Sequence, residues 1–272
     1  MSILNITTQL QYEGFLSTPV LWSSDLIFGM KQFELPQQKI STYNGEESSK
    51  LRLGKLVEQF VFHEFGQVDS LTILAQNIQL YKNKITIGEL DCILKYLEEY
   101  IHLEIIYKFY LFDETCGETE LEKWIGPNRN DSFVQKLTKL KTKQLPIFFH
   151  DETVNLLNKL NLEPSNFTQK IYFKAQLFVP LNIEKKTYSG INNACIKGFY
   201  IRLFELERID SNQFYIPNKR DWLIDTHANV EWLNLEEFKS IVLELLNSKR
   251  APLCWLKRPN GNTQKFFIVW WD

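Results

Sequence analysis

The chain has 272 residues, of which 44% are hydrophobic and 24% are charged, and its net charge is −2. These values indicate an ordinary globular protein with a real core. The balanced charge differs from that of the strongly basic domains that often bind nucleic acid. It does not exclude an enzyme, because an acidic metal site is neutralised only when its metal is bound.

The cysteines and the N-terminus narrow the class further. The four cysteines lie far apart with no C-x-x-C pair, which argues against a structural zinc site and suits a reducing cytoplasm better than a disulfide framework. The N-terminus lacks the basic start and the apolar block of a signal peptide. No stretch approaches the roughly 18 uninterrupted apolar residues of a membrane span. We expect a cytoplasmic protein without a membrane span, and we make no prediction of its oligomeric state.

The first predicted elements precede the centre of the chain. Residues 8–48 mix aromatic residues, proline and polar groups, which favours a short helix and loops that cover something larger. The polar run at 44–49 predicts a linker, in which Ser48 or Ser49 can cap the helix that follows. Apolar residues then repeat at helical spacing between 53 and 61, and Glu58 lies beside that apolar face.

Three strands are predicted next, over residues 73–81, 85–94 and 102–111. Successive side chains of a strand alternate, so Glu89 and Asp91 share one face of the second strand. Glu104 and Lys108 share one face of the third strand in the same way. β-branched and aromatic residues dominate both segments, which favours strands. A helix is the competing interpretation, since no Gly or Pro interrupts residues 89–112.

Two further helices are predicted from caps that precede periodic apolar residues. Asp131 and Asp151 are placed to cap them. The first of these helices carries four lysines on its other faces, and a solvated face is the ordinary interpretation of such residues: Lys136, Lys139, Lys141 and Lys143. A strand at 169–179 completes this part of the chain.

The composition of the sequence changes past Pro180, and we place an approximate boundary between two parts of the chain there. A loop, a strand, a helix and two more strands are predicted at 181–197, 199–206, 235–246, 253–257 and 266–270. Asn260-Gly261 between the last two strands is a strong hairpin signal. The chain thus divides into an N-terminal covering segment, a core and a C-terminal α+β module, whose strands are also able to join the first sheet: 1–48, 49–180 and 181–272.

The order of these elements, αβββαβ, carries a resemblance to a known family. Together with GELD, followed 13 residues after its Asp by a Glu in an apolar strand, it resembles the PD-(D/E)XK nuclease superfamily. The phrases LGKLVE, GELDCIL, HLEIIYKFYL and WIGPNRNDSF more closely resemble an uncharacterised bacterial domain-of-unknown-function family, a distant branch of that superfamily. The resemblance covers roughly residues 50–150. It implies an α+β fold, with a restriction-endonuclease-like mixed sheet flanked by helices and a C-terminal α+β extension.

The resemblance also implies a set of catalytic residues. Asp91 takes the place of the motif aspartate, Glu104 that of the motif acid, and Glu58 that of an acid on the first helix. Lys108 is the candidate for the motif lysine, but the superfamily lysine normally follows the acid by two residues, where this chain has Ile106. Four residues of a strand span about 13 Å and two span about 7 Å, so the lysine side chain bridges only part of this gap.

The implied function is that of a metal-dependent nuclease or nuclease-like phosphodiesterase acting on DNA or RNA. Asp91, Glu104 and Glu58 would ligate Mg²⁺, or Mn²⁺, through hard oxygen atoms. The metal would lower the pKa of a bound water and stabilise charge on the phosphate. Nucleic acid is the implied partner, contacted by Lys136 and Lys139, while Gln144 resembles a glutamine motif of one branch of the superfamily.

Plainer interpretations stand beside these assignments. Asp91 also suits a strand end that is fixed by bonds to backbone amides, and Glu89 suits a solvent-facing position. Glu104 and Lys108 suit exposed ion pairs with their neighbours. One alternative function is a catalytically inactive nuclease-fold module that binds or interacts. Another is a structural partner protein that associates through tryptophans near both termini: Trp22, Trp255, Trp270 and Trp271.

Overall fold

The computed structural model describes residues 3–23, 27–36, 41–45, 51–181 and 186–272. In these ranges the chain forms the helices α1 (Ile3–Leu16), α2 (Leu53–Phe65), α3 (Phe133–Lys139), α4 (Asp151–Lys159) and α5 (Leu235–Asn247). A π-helical turn at Leu140–Gln144 continues α3. Within the described part of the chain, no helix combines the length and the apolar character that crossing a bilayer requires.

The strands join into one mixed sheet. They are β1 (Lys31–Gln32), β2 (Leu71–Lys82), β3 (Ile85–Tyr96), β4 (Glu99–Phe112), β5 (Trp124–Ile125), β6 (Phe167–Pro180), β7 (Ile196–Arg202), β8 (Gln213–Tyr215), β9 (Leu253–Lys257) and β10 (Thr263–Val269). The order across the sheet is β2-β3-β4-β6-β7-β10-β9-β8, with β1 beside β6 and β5 beside β4. The fold is therefore α+β, with a large mixed sheet flanked by helices.

The centre of the sheet confirms the strand prediction for residues 89–112. β2, β3 and β4 form an antiparallel meander, and β4 then pairs with β6 in parallel. α3, the π-helical turn and α4 make the connection between β4 and β6. The helical alternative is wrong because β3 pairs along its length with β2, and β4 pairs along its length with β6, so the backbone of both segments is satisfied within the sheet.

The C-terminal strands extend this same sheet. β7 lies between β6 and β10 and is parallel to both, while β9 and β10 form the hairpin predicted at Asn260-Gly261. Gly261 has a φ of +85° in the turn, a conformation that glycine adopts without strain. The predicted strand at 199–206 is wrong in its second half. There the chain forms the 3-10 helix Leu203–Ile209, and the Glu205 carboxylate accepts the N–H of Arg202 at 3.0 Å.

Apolar side chains fill both faces of the sheet. On one face Phe60 of α2 and Phe15 of α1 pack in a cluster with Leu103 of β4. On the opposite face Leu137 of α3 packs in a cluster with Tyr110 of β4. Leu103 and Tyr110 belong to different faces because side chains alternate along a strand.

The tryptophans predicted as an association surface belong instead to these cores. Trp22, Trp255 and Trp271 are only 2%, 1% and 6% exposed. Trp270 is partly buried against two apolar clusters. Because their ring area is already buried within the chain, these residues are structural, and the predicted surface at this place is wrong.

The predicted helix caps differ from those in the structure. Ser132, not Asp131, precedes α3, and its hydroxyl accepts the N–H of Gln135 at 3.2 Å. His150 precedes α4, so Asp151 is the first helical residue, where its charge still favours the helix dipole. The predicted caps Ser48 and Ser49 lie outside the described residues, and α2 begins only at Leu53.

Candidate functional site

β3 and β4 separate in the middle of the sheet, and two acids lie where they part. The last pair of the β3–β4 ladder is Cys92↔Leu103. Beyond it, β3 remains paired with β2, while β4 pairs with β6. The next position on each strand is Asp91 and Glu104, so the antiparallel register directs both acids to one face of the fork. We call this place the strand fork.

At the strand fork the carboxylate of Asp91 takes the place of a backbone hydrogen-bond acceptor. Its Oδ2 accepts a hydrogen bond from the N–H of Ile105, with an N···O distance of 2.9 Å. This bond matches the plainer interpretation, in which Asp91 fixes a strand end. It engages one of the two carboxylate oxygens, so the residue is also able to ligate a cation.

Glu104 is fully buried on the same face. Its Oε2 accepts a hydrogen bond from the side-chain amide of Gln144 at 2.5 Å. Its Oε1 is buried and has no hydrogen-bond partner among the described residues. The exposed ion pair considered for Glu104 is therefore wrong. A buried carboxylate oxygen without a partner is costly unless a ligand compensates for it.

Burial strongly perturbs the pKa values of both acids. Burial, followed by repulsion from Glu104, raises the pKa of Asp91 to about 7. Burial also raises the pKa of Glu104 to about 7, against the opposing effect of Lys136. Two carboxylates that share a poorly solvated site favour a shared proton or a bound cation over two free charges.

The positive charge of Lys136 lowers the pKa of both Asp91 and Glu104. It extends from α3 and its Nζ donates to Oε1 of Gln144 at 2.7 Å, so a chain of hydrogen bonds runs from Lys136 through Gln144 to Glu104. Burial lowers the pKa of Lys136 to about 8, and Glu104 and Asp91 oppose that shift. Lys139, on the same helix, is exposed, and its charge lowers the pKa of Glu104 more weakly.

Lys108 is turned away from the acids that the resemblance assigned to it. Its Nζ donates to Oδ2 of Asp131 at 2.5 Å, and Lys108 forms this ion pair rather than one with Asp91 or Glu104. The rise of about 3.3 Å per strand residue explains this placement, because four residues carry Lys108 well beyond the strand fork. Its charge still acts on Lys136, whose pKa it lowers.

Glu58 and Glu89 lie at the edge of the strand fork and share a lysine. Lys55 Nζ lies 2.7 Å from Oε2 of Glu58 and 2.9 Å from Oε1 of Glu89. Burial raises the pKa of Glu58, with Lys55 opposing the shift and Asp91 adding to it. Glu58 is therefore within electrostatic reach of Asp91, and both edge acids are already engaged by an exposed ammonium group.

His102, whose position beside the acidic strand suggests a satisfied polar residue rather than a ligand, is a buried neighbour of Glu104. Its ring stacks on Phe148, and the Gln169 side-chain amide donates to its Nδ1 at 2.9 Å. Its Nε2 lies 3.5 Å from Oε1 of Glu104. Burial lowers the pKa of His102 to about 4, so the ring is neutral. The period of two along a strand, which aligns His102 with Glu104, was the available signal.

The strand fork fits a hard divalent cation through two carboxylates. Among the described residues, no group of three or more His, Cys, Asp or Glu side chains is arranged to hold a metal ion. Asp91 and Glu104 nevertheless supply oxygens of the type Mg²⁺ binds, and Glu104 Oε1 is buried without a partner. Mg²⁺ is commonly bound by one or two carboxylates, with water and phosphate oxygens completing its shell.

Comparisons with known proteins place the chain in a family but not beside a characterised relative. A family model described as a domain of unknown function (DUF1853) matches residues 24–269. No curated protein and no solved structure matches the chain significantly.

Proposed function

The chain belongs to the DUF1853 family, and we propose that it is a metal-dependent nuclease acting on DNA or RNA. The observation that carries this proposal is the strand fork, where Asp91 and Glu104 occupy the next positions of two neighbouring strands with raised pKa values, and where one buried oxygen of Glu104 has no hydrogen-bond partner among the described residues. The order of α2, β2, β3, β4, α3 and β6 around the fork supports the proposal, because it is compatible with the αβββαβ order that the PD-(D/E)XK resemblance implies.

Asp91 and Glu104 are the proposed ligands of Mg²⁺ or Mn²⁺. When bound, the metal supplies an activated water and neutralises charge on the phosphodiester. Gln144 orients Glu104 through its hydrogen bond, and neutral His102 limits the space on the other side of that carboxylate. Glu58 adds negative charge at the edge of the site, while Lys55 holds it back from the centre.

Lys136 takes the role that the superfamily gives to its motif lysine. It lies on α3, in the connection between β4 and β6, and is linked to Glu104 through Gln144, whereas Lys108 pairs with Asp131. The charge of Lys136 acts on both Asp91 and Glu104, which oppose the lowering of its pKa by burial. In this role Lys136 orients the attacking water or a phosphate oxygen by charge and hydrogen bonding.

A cleavage assay tests this function. Purified protein is incubated with Mn²⁺ or Mg²⁺ and with supercoiled plasmid, single-stranded DNA or RNA. We expect cleavage that Asp91→Asn and Glu104→Gln abolish and that a chelator stops. Glu98→Gln is the matched control, because Glu98 is 95% exposed at the turn between β3 and β4, where it pairs with Lys95. No cleavage of any substrate, or cleavage unaffected by Asp91→Asn, would overturn the proposal.

The inactive-module alternative is separated from this function by calorimetry. If the protein is a nuclease, we expect Mn²⁺ to bind to the wild type and not to bind to Glu104→Gln. The engaged Lys108 and the absence of a third ready-made ligand among the described residues favour the alternative. Nucleic-acid binding without metal binding and without cleavage is its expected signature.

A further inference from the structure

A cavity of about 420 Å³ opens beside the strand fork. This volume falls in the range of ordinary ligand sites. Residues from β4, α2, α3, the loop before α3 and the 3-10 turn Lys219–Leu223 line it. Its charged lining residues are Glu58, Lys108, Asp131, Lys136 and Lys219. The C-terminal part of the chain thus contributes a lysine to the cavity that adjoins the strand fork.

Two of the three lysines in the cavity form no ion pair. Lys108 is paired with Asp131. Lys136 donates to the neutral amide of Gln144, and no carboxylate of the described residues lies within ion-pair distance of it or of Lys219, although Glu104, Asp91 and Asp131 act on them from further away. Three lysines against two carboxylates, Glu58 and Asp131, give the lining of the cavity an excess of positive charge, which favours the binding of an anion.

Lys219 stands on a rigid aromatic support. Its Nζ lies 3.2 Å from the centre of the Trp222 ring. Trp222 is 6% exposed and packs edge-on against Phe109 and Phe267, with ring centroids 5.2 and 5.1 Å apart. Lys219 is exposed as a residue, but burial of its ammonium group against the ring lowers its pKa to about 7, and a phosphate anion beside it would favour the charged form.

We propose that this cavity binds a backbone phosphate of the nucleic acid, held by Lys219 together with Lys136, beside the phosphodiester that is cleaved. The inference rests on the proposed nuclease function, and it assigns to the C-terminal part of the chain a role in binding substrate. Ammonium groups form strong charge-assisted hydrogen bonds with phosphate oxygens. Lys108, already neutralised by Asp131, supports the cavity wall and contributes less to binding.

Binding is measured apart from cleavage in the Asp91→Asn background and in the presence of a chelator. Fluorescence anisotropy with labelled single-stranded and duplex oligonucleotides, over a range of salt concentrations, gives affinity and its salt slope. We expect Lys219→Gln to weaken binding at least threefold at low salt and to reduce the slope by about 0.7–0.9, the loss of one phosphate contact. Lys219→Arg, which retains the charge, keeps most of the affinity.

Lys239→Gln is the matched control, because Lys239 is an exposed lysine on α5 that does not line this cavity. Thermal melting verifies that each variant is folded. Unchanged affinity and slope in Lys219→Gln, or an equal loss in Lys239→Gln, would refute the phosphate site, as would a background protein that binds no oligonucleotide. Lys219-dependent binding by a wild type that cleaves nothing would support the phosphate site while rejecting the nuclease.

Discussion

Lys136 and Gln144 are eight residues apart, and Nζ of the first donates to Oε1 of the second at 2.7 Å. The π-helical turn between them makes this contact possible. In this turn the N–H of Leu145 donates to the carbonyl of Leu140, five residues earlier, whereas in a regular α-helix it would donate to the carbonyl four residues earlier. Such turns are frequent at functional sites because they redirect a side chain that a regular helix would carry past. Here the turn directs Gln144 onto Glu104.

The lysine assignment leads to the first prediction. Lys136→Met lowers Mn²⁺-dependent cleavage by about 100-fold or more, the usual cost of removing a positioned charge-stabilising group. Lys108→Met lowers it by less than about tenfold, because Lys108 is neutralised by Asp131. Initial rates on one plasmid substrate compare the two. Lys159→Met is the control, as Lys159 is an exposed lysine at the end of α4. A larger loss in Lys108→Met than in Lys136→Met would restore Lys108 as the motif lysine.

The buried Glu104 carboxyl predicts how stability varies with pH. Its pKa is about 7 in the fold against an ordinary 4.5. Between these values the folded chain holds more protons than the unfolded chain, so this group's contribution to stability falls as pH rises. Glu104→Gln removes the effect. The free energy of unfolding of the variant, relative to wild type, therefore increases by roughly 1–3 kcal/mol between pH 5 and pH 8.

Urea denaturation in metal-free buffer with a chelator measures this difference. Glu98→Gln, an exposed substitution, is expected to show the same small difference at both pH values. A difference for Glu104→Gln that stays constant or shrinks from pH 5 to pH 8 would contradict the pKa assigned to the strand fork.

For the buried Lys265 we predict the opposite relation between stability and pH, in a higher pH range. It is 3% exposed, its Nζ donates to Gln176 and to the carbonyl of Trp222 at 2.9 Å, and burial lowers its pKa from 10.5 to about 7. Asp225 opposes that shift, and Lys197 adds to it. Between about pH 7 and 10.5 the unfolded chain binds the additional proton, so wild-type stability rises with pH by at most about 1.4 kcal/mol per unit.

Lys265→Met removes this slope. The free energy of unfolding of Lys265→Met minus that of the wild type is expected to be largest at pH 7 and to decline by pH 9.5, as measured by urea denaturation. Lys239→Met, at an exposed site on α5, provides the comparison. If this difference in the free energy of unfolding grows with pH instead, the hydrogen-bond acceptors around Lys265 keep its side chain charged.

Two helical glycines give a matched pair for the packing of α1. A Cβ on Gly14 would lie 2.0 Å from the carbonyl oxygen of Leu223, whereas a Cβ on Gly54 of α2 would meet no atom within 4 Å. Gly14→Ala is expected to lower the free energy of unfolding by about 2 kcal/mol or more, because backbone must move. Gly54→Ala is expected to raise it by up to about 1 kcal/mol through helix propensity. Similar effects of the two substitutions would argue against the close contact of α1 with the turn Lys219–Leu223.

The candidate site was predictable only as far as local patterns reach. The resemblance singled out Asp91 and Glu104, and the period of two gave the face of its own strand on which each acid lies. Their shared face follows from the register of β3 and β4, which the structure supplies. Lys136 was predicted to contact nucleic acid, and nothing in its spacing relates it to Glu104. That relation depends on how the connection between β4 and β6 folds back over the sheet, which is a long-range property.

The sequence by itself determined the strands of the meander, the hairpin at Asn260-Gly261 and the face on which each acid lies, because these depend on side-chain alternation and turn chemistry. Only the tertiary structure decided that Lys108 pairs with Asp131, that Lys136 and Gln144 approach Glu104, and that Lys219 reaches the same cavity. The physical reason is distance along the chain. These contacts join residues far apart in sequence, and they arise from the packing of whole elements rather than from any local preference.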